Sequence, residues 1–146
     1  MRRHPDILMA MSNAMWVNSR QPQTLYIAQI LMYFRGVMAV FFSGALSSIG
    51  RTELFGSRLL AIVYIFLLTV GLIAGAFGIA NEKKWGYMLG VVAAFAPLVV
   101  TAYVVLPDHV DALFRANVFI DVMFDVALVT LLLHQGSRAY QRAWFK

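Results

Sequence analysis

Four long apolar stretches dominate the chain, separated by short polar breaks. They cover residues 25–48, 59–80, 85–106 and 116–134. Each is close to the roughly 20 residues needed to cross about 30 Å of hydrocarbon as a helix. Strands of alternating polar and apolar residues are absent from the pattern, which excludes a membrane β-barrel. Lipid cannot satisfy exposed backbone groups, so the four stretches are predicted to be helices. The breaks lie at residues 50–56, 81–84 and 107–115, and 81–84 is a tight charged turn, Asn-Glu-Lys-Lys. The expected fold is all-α: one integral membrane domain over residues 1–146, a four-helix antiparallel bundle with interfacial segments at both ends.

Residues 1–23 are less apolar than the four stretches. Arg2 and Arg3 mimic the basic start of a signal peptide. The apolar run from Ile7 to Met11 is too short for its core, and Ser12 and Asn13 interrupt it. Ile7, Leu8, Met11 and Met15 recur at helical spacing with Trp16 beside them, which predicts a short helix in the cytoplasmic interface. The other reading is a leader ahead of an internal start at Met11 or Met15. Gln21-Pro22-Gln23-Thr24 breaks the chain and supplies a cap for the first span. Residues 135–146 form a basic cytoplasmic tail, with Arg138, Arg142 and Lys146 one helical turn apart and Tyr140 and Trp144 on a second face. The tail extends helix four onto the inner headgroups, or it is a plain stop-transfer flank.

Composition agrees with the pattern. Hydrophobic residues make up 61% of the 146 and charged residues 13%. A soluble domain carries about 45–50% and about 25%. Mean hydropathy is +0.73. These values exclude a disordered chain, a nucleic-acid-binding module and almost any ordinary soluble enzyme. Twelve Lys and Arg against seven Asp and Glu give a net charge of +5. With four spans, both termini share one side. That side holds Arg2, Arg3, Arg20, Lys83, Lys84, Arg138, Arg142 and Lys146, and the other side only Arg51, Arg58 and Arg115. The positive-inside rule then places both termini in the cytoplasm and the chain in the cell membrane as a multi-pass protein. The expected partners are the bilayer, anionic lipids at the cytoplasmic face, and other membrane subunits or a second copy of the chain. Nucleic acid is not among them. The absence of cysteine excludes disulfides, thiol exchange and thiolate metal sites.

Helices in lipid pack where small residues let backbones approach. Gly71, Gly75 and Gly78 make one such stripe, and Gly86, Gly90 and Ala94 another, on either side of the turn at 81–84. A close hairpin between spans two and three is expected, with a homodimer seam as the other use of the same residues. Pro97 removes one backbone hydrogen bond from span three and frees a carbonyl near Ala93.

Three ionisable residues fall inside spans: Arg35, Asp121 and Asp125. Each costs at least about 2.5–3.5 kcal/mol to insert, so each needs a partner or a function. Counting from the inner helix ends, Arg35 lies roughly 15 Å deep, Asp125 about 14 Å and Asp121 about 20 Å. The two carboxylates share one face of the fourth span. Arg35 shares its face with Ala39, Ser43 and Ser47, which leaves room for a neighbouring helix. The expected contact joins span one to span four through this cluster. Asp125 is the better ion-pair partner, being deeper within its span. The cluster is either a staple that fixes helix neighbours or a site that handles protons, ions or an anionic head group.

Other chemistry is sparse. His134 stands alone at a span end, and haem ligation would need a second histidine at matching depth. Glu53, Asp108, His109 and Asp111 on the outer side could gather a cation or be ordinary acidic loop residues. No catalytic set, metal-ligand cluster or phosphate loop is present in the sequence, so no cofactor is expected. Residues 78–98, GIANEKKWGYMLGVVAAFAPL, resemble the central turn of small four-helix membrane proteins grouped as DoxX-like, in which a glycine-ended helix, a basic turn and an aromatic restart recur. That resemblance implies the four-span fold and brings no catalytic residues. The functional expectation is a non-catalytic accessory or scaffold subunit of a larger membrane complex. The alternative is a small transporter or channel-like protein that uses Arg35, Asp121 and Asp125.

Overall fold

The computed structural model describes residues 14–46, 58–105 and 116–146. Every regular element among them is helical. Helix α1 covers Gln23–Leu46, and α2 covers Arg58–Phe66. A π-helical turn, Leu67–Gly71, joins α2 to α3, Leu72–Ala80. Helix α4 covers Lys84–Val100 and runs on into a second π-helical turn, Thr101–Val105. Helices α5, Ala116–Leu133, and α6, Gln135–Trp144, complete the order. The segments Ile62–Ala80 and Lys84–Tyr103 are each long and apolar enough to cross a membrane. Phe119–Leu133 and Gln135–Trp144 meet the same test only as a pair, bent by 48° at the break between them. The described chain is therefore all-helical, with two such helices, or three if the bent pair counts as one. The predicted loops at 50–56 and 107–115, with Glu53, Asp108, His109 and Asp111, lie outside the described residues, as do Ile7, Leu8 and Met11.

The turn between α3 and α4 organises everything around it. Lys83 N–H donates to Gly78 O at 2.9 Å and Glu82 N–H to Ile79 O at 3.0 Å. This is the Schellman closure of a helix, with Glu82 in the left-handed position at φ 57° where glycine is usual. Its neighbours hold it there. Tyr140 donates to Glu82 Oε1 at 2.7 Å, and Lys146 N–H donates to Glu82 O at 2.9 Å. Lys84 N–H in turn donates to Lys146 O at 3.0 Å.

Beyond the turn, α3 and α4 run antiparallel in glycine contact. A Cβ at Gly78 would lie 2.5 Å from Gly86 Cα, and one at Gly75 would lie 2.8 Å from Gly90 Cα. Gly71 faces Ala93, and Ala94 is buried. These glycines meet within the chain, so the homodimer seam is not where the structure uses them. Helix α1 packs on α3 with Gly36 against Ile73 and the carbonyl of Thr69, while the Met32 methyl sits between Gly75 and Gly90. Tyr87 of α4 donates to Leu132 O of α5 at 2.7 Å. Leu25, Met32, Leu72, Ile79, Leu128 and Leu132 are the buried apolar centre. Large apolar side chains such as Phe41, Phe66 and Val99 point outward, as lipid-facing residues do.

Two expectations at the chain ends are corrected. Met15 and Trp16 do not belong to a helix. Residues 14–22 form a non-helical strap laid along the last turn of α3. Polar side chains decide this, because Asn18 and Gln21 find partners in the last carbonyls of α3, Ala80 O and Ile79 O. The tail does not extend helix four. His134 interrupts the chain and caps α6, its Nδ1 accepting from Gly136 N–H at 3.2 Å. The capping imidazole turns α6 across the ends of its neighbours. There Phe145 is buried edge-on against Tyr87 and Tyr140, each 6.1 Å away between ring centres.

Candidate functional site

Helix α1 is apolar apart from a few polar positions, and Arg35 is the only charge in it. Its neighbour Gly36 is pressed against α3, which points Arg35 sideways along the flank of α1 toward α5. On α5 the buried residues Asp125, Leu128 and Leu132 recur at helical spacing, so Asp125 heads the packed stripe of that helix. Asp121 sits one turn further out, beyond the packed zone.

The structure brings all three residues together. Arg35 Nε and Nη2 both donate to Asp125 Oδ1, Nε at 3.0 Å. Arg35 Nη1 donates to Asp121 Oδ1 at 2.8 Å. The guanidinium fork thus spans two carboxylates with separate nitrogens in one plane, where lysine would offer a single nitrogen. Their surroundings differ sharply. The Asp125 side chain is 5% exposed and that of Asp121 is 63% exposed, with Arg35 between them at 19%. One guanidinium serves two carboxylates, so the fully ionised cluster carries one negative charge. It forms a short polar path from an open carboxylate to a closed one.

A second polar feature lies beside the first, in the π-helical turn. The Thr69 hydroxyl is buried with no hydrogen-bond partner, and its carbonyl faces Gly36, next to Arg35. A helical threonine usually bonds back to the carbonyl one turn earlier.

The third polar cluster was not anticipated from the sequence. Gln29, fully buried in α1, accepts from Asn18 N–H at 3.1 Å and donates to Gln21 Oε1. Gln21 Nε2 donates to Ile79 O at 2.7 Å, and Asn18 Nδ2 to Ala80 O at 3.2 Å. Asn81 closes the strap by exchanging two bonds with the backbone of Met15. Every partner here is a backbone group or another amide. The arrangement ties the strap down and leaves no acid, base or nucleophile to react. The one available signal was Gln29 itself, a lone amide in an apolar run.

At the same end of the molecule, burial and the hydrogen bond to Glu82 push Tyr140 up to about 12. Among the described residues no group of three His, Cys, Asp or Glu could hold a metal ion. No family model matches the chain, and neither does any curated protein or solved structure.

Proposed function

We propose that the chain is a small multi-pass membrane protein that moves protons or small cations, with the Arg35–Asp121–Asp125 cluster as its ion-handling site. In this reading the fold is a four-helix antiparallel bundle of α1, α2 with α3, α4 and α5. Both termini face the cytoplasm, on the strength of the cation asymmetry. The observation that carries the functional reading is the sharing of one guanidinium between an exposed carboxylate and a buried one. Two carboxylates and one guanidinium reach neutrality by taking up one positive charge. This chemistry selects a proton or small cation over an anionic solute, for which the cluster has no spare positive charge. Asp121 is the group that meets the incoming ion. Asp125 and Arg35 hold the inner end of the exchange, and shifting Arg35 toward one carboxylate releases the other.

The test is reconstitution in liposomes with a trapped pH dye and an imposed potassium diffusion potential. Wild type should acidify or alkalinise the lumen faster than protein-free liposomes. Asp121→Asn and Asp125→Asn, each checked for folded yield, should lose that flux. A wild-type rate equal to the protein-free rate, for protons and for sodium or potassium, would overturn the proposal. Zero flux together with a stoichiometric large partner in a detergent pull-down would favour the accessory-subunit reading instead. The orientation has its own test. Cysteine at exposed Lys83 should react with an impermeant maleimide in inverted vesicles and not in intact cells.

A further inference from the structure

The chain holds three tryptophans, and the fold gathers all of them at one end. Trp16 lies on the strap, edge-on to Phe77 at 5.4 Å. Trp85 opens α4 and reaches over Gly78. Trp144 stacks on Tyr140 near the end of α6, at 6.2 Å. All three remain largely exposed, at 68%, 52% and 61%. Tryptophan concentrates at headgroup depth, where its ring is amphipathic enough for both sides.

The same end carries the positive charge. Arg20, Lys83, Lys84, Arg138, Arg142 and Lys146 are all exposed there. The one side-chain carboxylate among the described residues of this end is Glu82, and Tyr140 already donates to it. Helix α6 departs by 48° from the direction of α5, which lays it across the end of the molecule. Its inner side is fixed by Ser137, whose hydroxyl donates to Leu131 O at 2.7 Å and meets Thr24 Oγ1 at 2.8 Å. Phe145 pins its far end. Arg138 and Arg142, one turn apart, are therefore held on the outer side of a rigidly seated helix.

We infer that α6, with the basic turn at 83–84, is a docking surface for the headgroup layer of an anionic bilayer leaflet. Arg138 and Arg142 contact lipid phosphates, and Trp144 is seated beside them at the base of the headgroups. Three features argue for a bilayer as the occupant. The charge is complementary to an anionic surface, the tryptophan girdle marks headgroup depth, and the surface continues directly from helices that are apolar enough to cross a membrane. The inference stands apart from ion movement, because its readout is lipid contact and needs no flux.

The experiment uses the full chain in vesicles of phosphatidylcholine and phosphatidylglycerol, with one lipid or the other brominated. Trp16→Phe and Trp85→Phe leave Trp144 as the only tryptophan. Brominated phosphatidylglycerol should quench Trp144 several-fold more strongly than brominated phosphatidylcholine at equal mole fraction. Arg138→Gln with Arg142→Gln should bring that preference close to one, as should high salt. Quenching by brominated phosphatidylcholine should persist in the double variant. Equal quenching by the two lipids would overturn the inference, as would a preference that survives loss of both arginines. So would Trp144 emission untouched by either lipid. If the tryptophan variants fold poorly, native mass spectrometry of the otherwise unaltered chain gives the second measurement. Retained phosphatidylglycerol adducts should outnumber phosphatidylcholine adducts and fall in the arginine variant, and equal retention would overturn the inference.

Discussion

Placing alanine at Gly86 and, separately, at Gly90 asks two different things of the same helix pair. At Gly86 the new Cβ meets only backbone: Gly78 Cα, Gly78 carbonyl carbon at 2.5 Å and Ile79 N at 2.9 Å. Ordinary Cβ contacts begin at 3.4 Å, and backbone cannot swing aside, so the helices must separate by about 1 Å. A radial gap of that size forfeits a quarter to a half of each dispersion contact it opens. It would also stretch the Schellman closure at Gly78 and Ile79. Overpacking of this kind costs about 1–3 kcal/mol, against a gain in helix propensity of about 1 kcal/mol at most. The expected net loss for Gly86→Ala is about 1–2 kcal/mol. At Gly90 the only approach under 3 Å is to Met32 Cε, at 2.6 Å, the far end of a flexible side chain. Methionine can turn away, so Gly90→Ala should stay within about 0.5 kcal/mol of wild type. Thermal unfolding in detergent, followed by circular dichroism, separates the two. A Gly86→Ala chain that melts with wild type would refute the reasoning, and so would a Gly90→Ala chain that loses as much.

Arg35→Met should cost about 3–5 kcal/mol by stranding the buried Asp125 carboxylate, whereas Arg35→Met with Asp125→Leu should recover much of that loss in the same melts. If Arg35→Met alone is harmless, the guanidinium is not holding the two helices. Asn18→Leu should lower the unfolding midpoint by leaving the Ala80 carbonyl without its donor, a cost of about 1–3 kcal/mol, and an unchanged midpoint would mean that water replaces the amide. The raised Tyr140 hydroxyl stabilises the fold fully below the ordinary value of 10.0 and ceases to do so as pH rises through about 12. Unfolding midpoints should therefore fall across that window in wild type and fall less in Tyr140→Phe, and equal slopes would refute the assignment.

The helix starts were legible because apolar runs end where charge or proline begins. Lys84 and Gln23 mark such edges, and α4 and α1 start there. The Arg35–Asp contact was legible for the same reason that helices can be drawn as cylinders. Depth counted along two helices puts Arg35 in level between the two carboxylates, and spacing puts both carboxylates on one face. Depth within the span already marked Asp125 as the inner partner and Asp121 as the outer one, but periodicity could not tell where packing stops along that face, so the size of the contrast, 63% against 5% exposed, was not visible. The strap was hidden for a different reason. Asn18 finds Ala80 and Met15 finds Asn81 across more than sixty residues of chain, and no local pattern encodes a partner that far away. The π-helical turn at Leu67–Gly71 leaves no mark in composition, since its residues would suit a plain α-helix equally well. His134 is solitary in the sequence, and its role as a cap depends on the turn that it makes itself.

The turn at 81–84 is also a clock. The strap's partners at Ile79, Ala80 and Asn81 are made some sixty residues after it, which at about 5–20 residues per second is a delay of roughly 3–12 s. Throughout that interval the side-chain amides of Asn18 and Gln21 lack the α3 carbonyls they bond in the fold. Lys146 then meets Glu82 and Lys84 only after a further stretch of similar length has been made. One four-residue bend thus receives the early strap and the late tail in sequence. Order of synthesis completes the strap's partners before α4 is made, and the tail's only with the tail itself. A ribosome stalled before the bend would hold a first helix whose buried Gln29 still lacks the strap fastened beneath it.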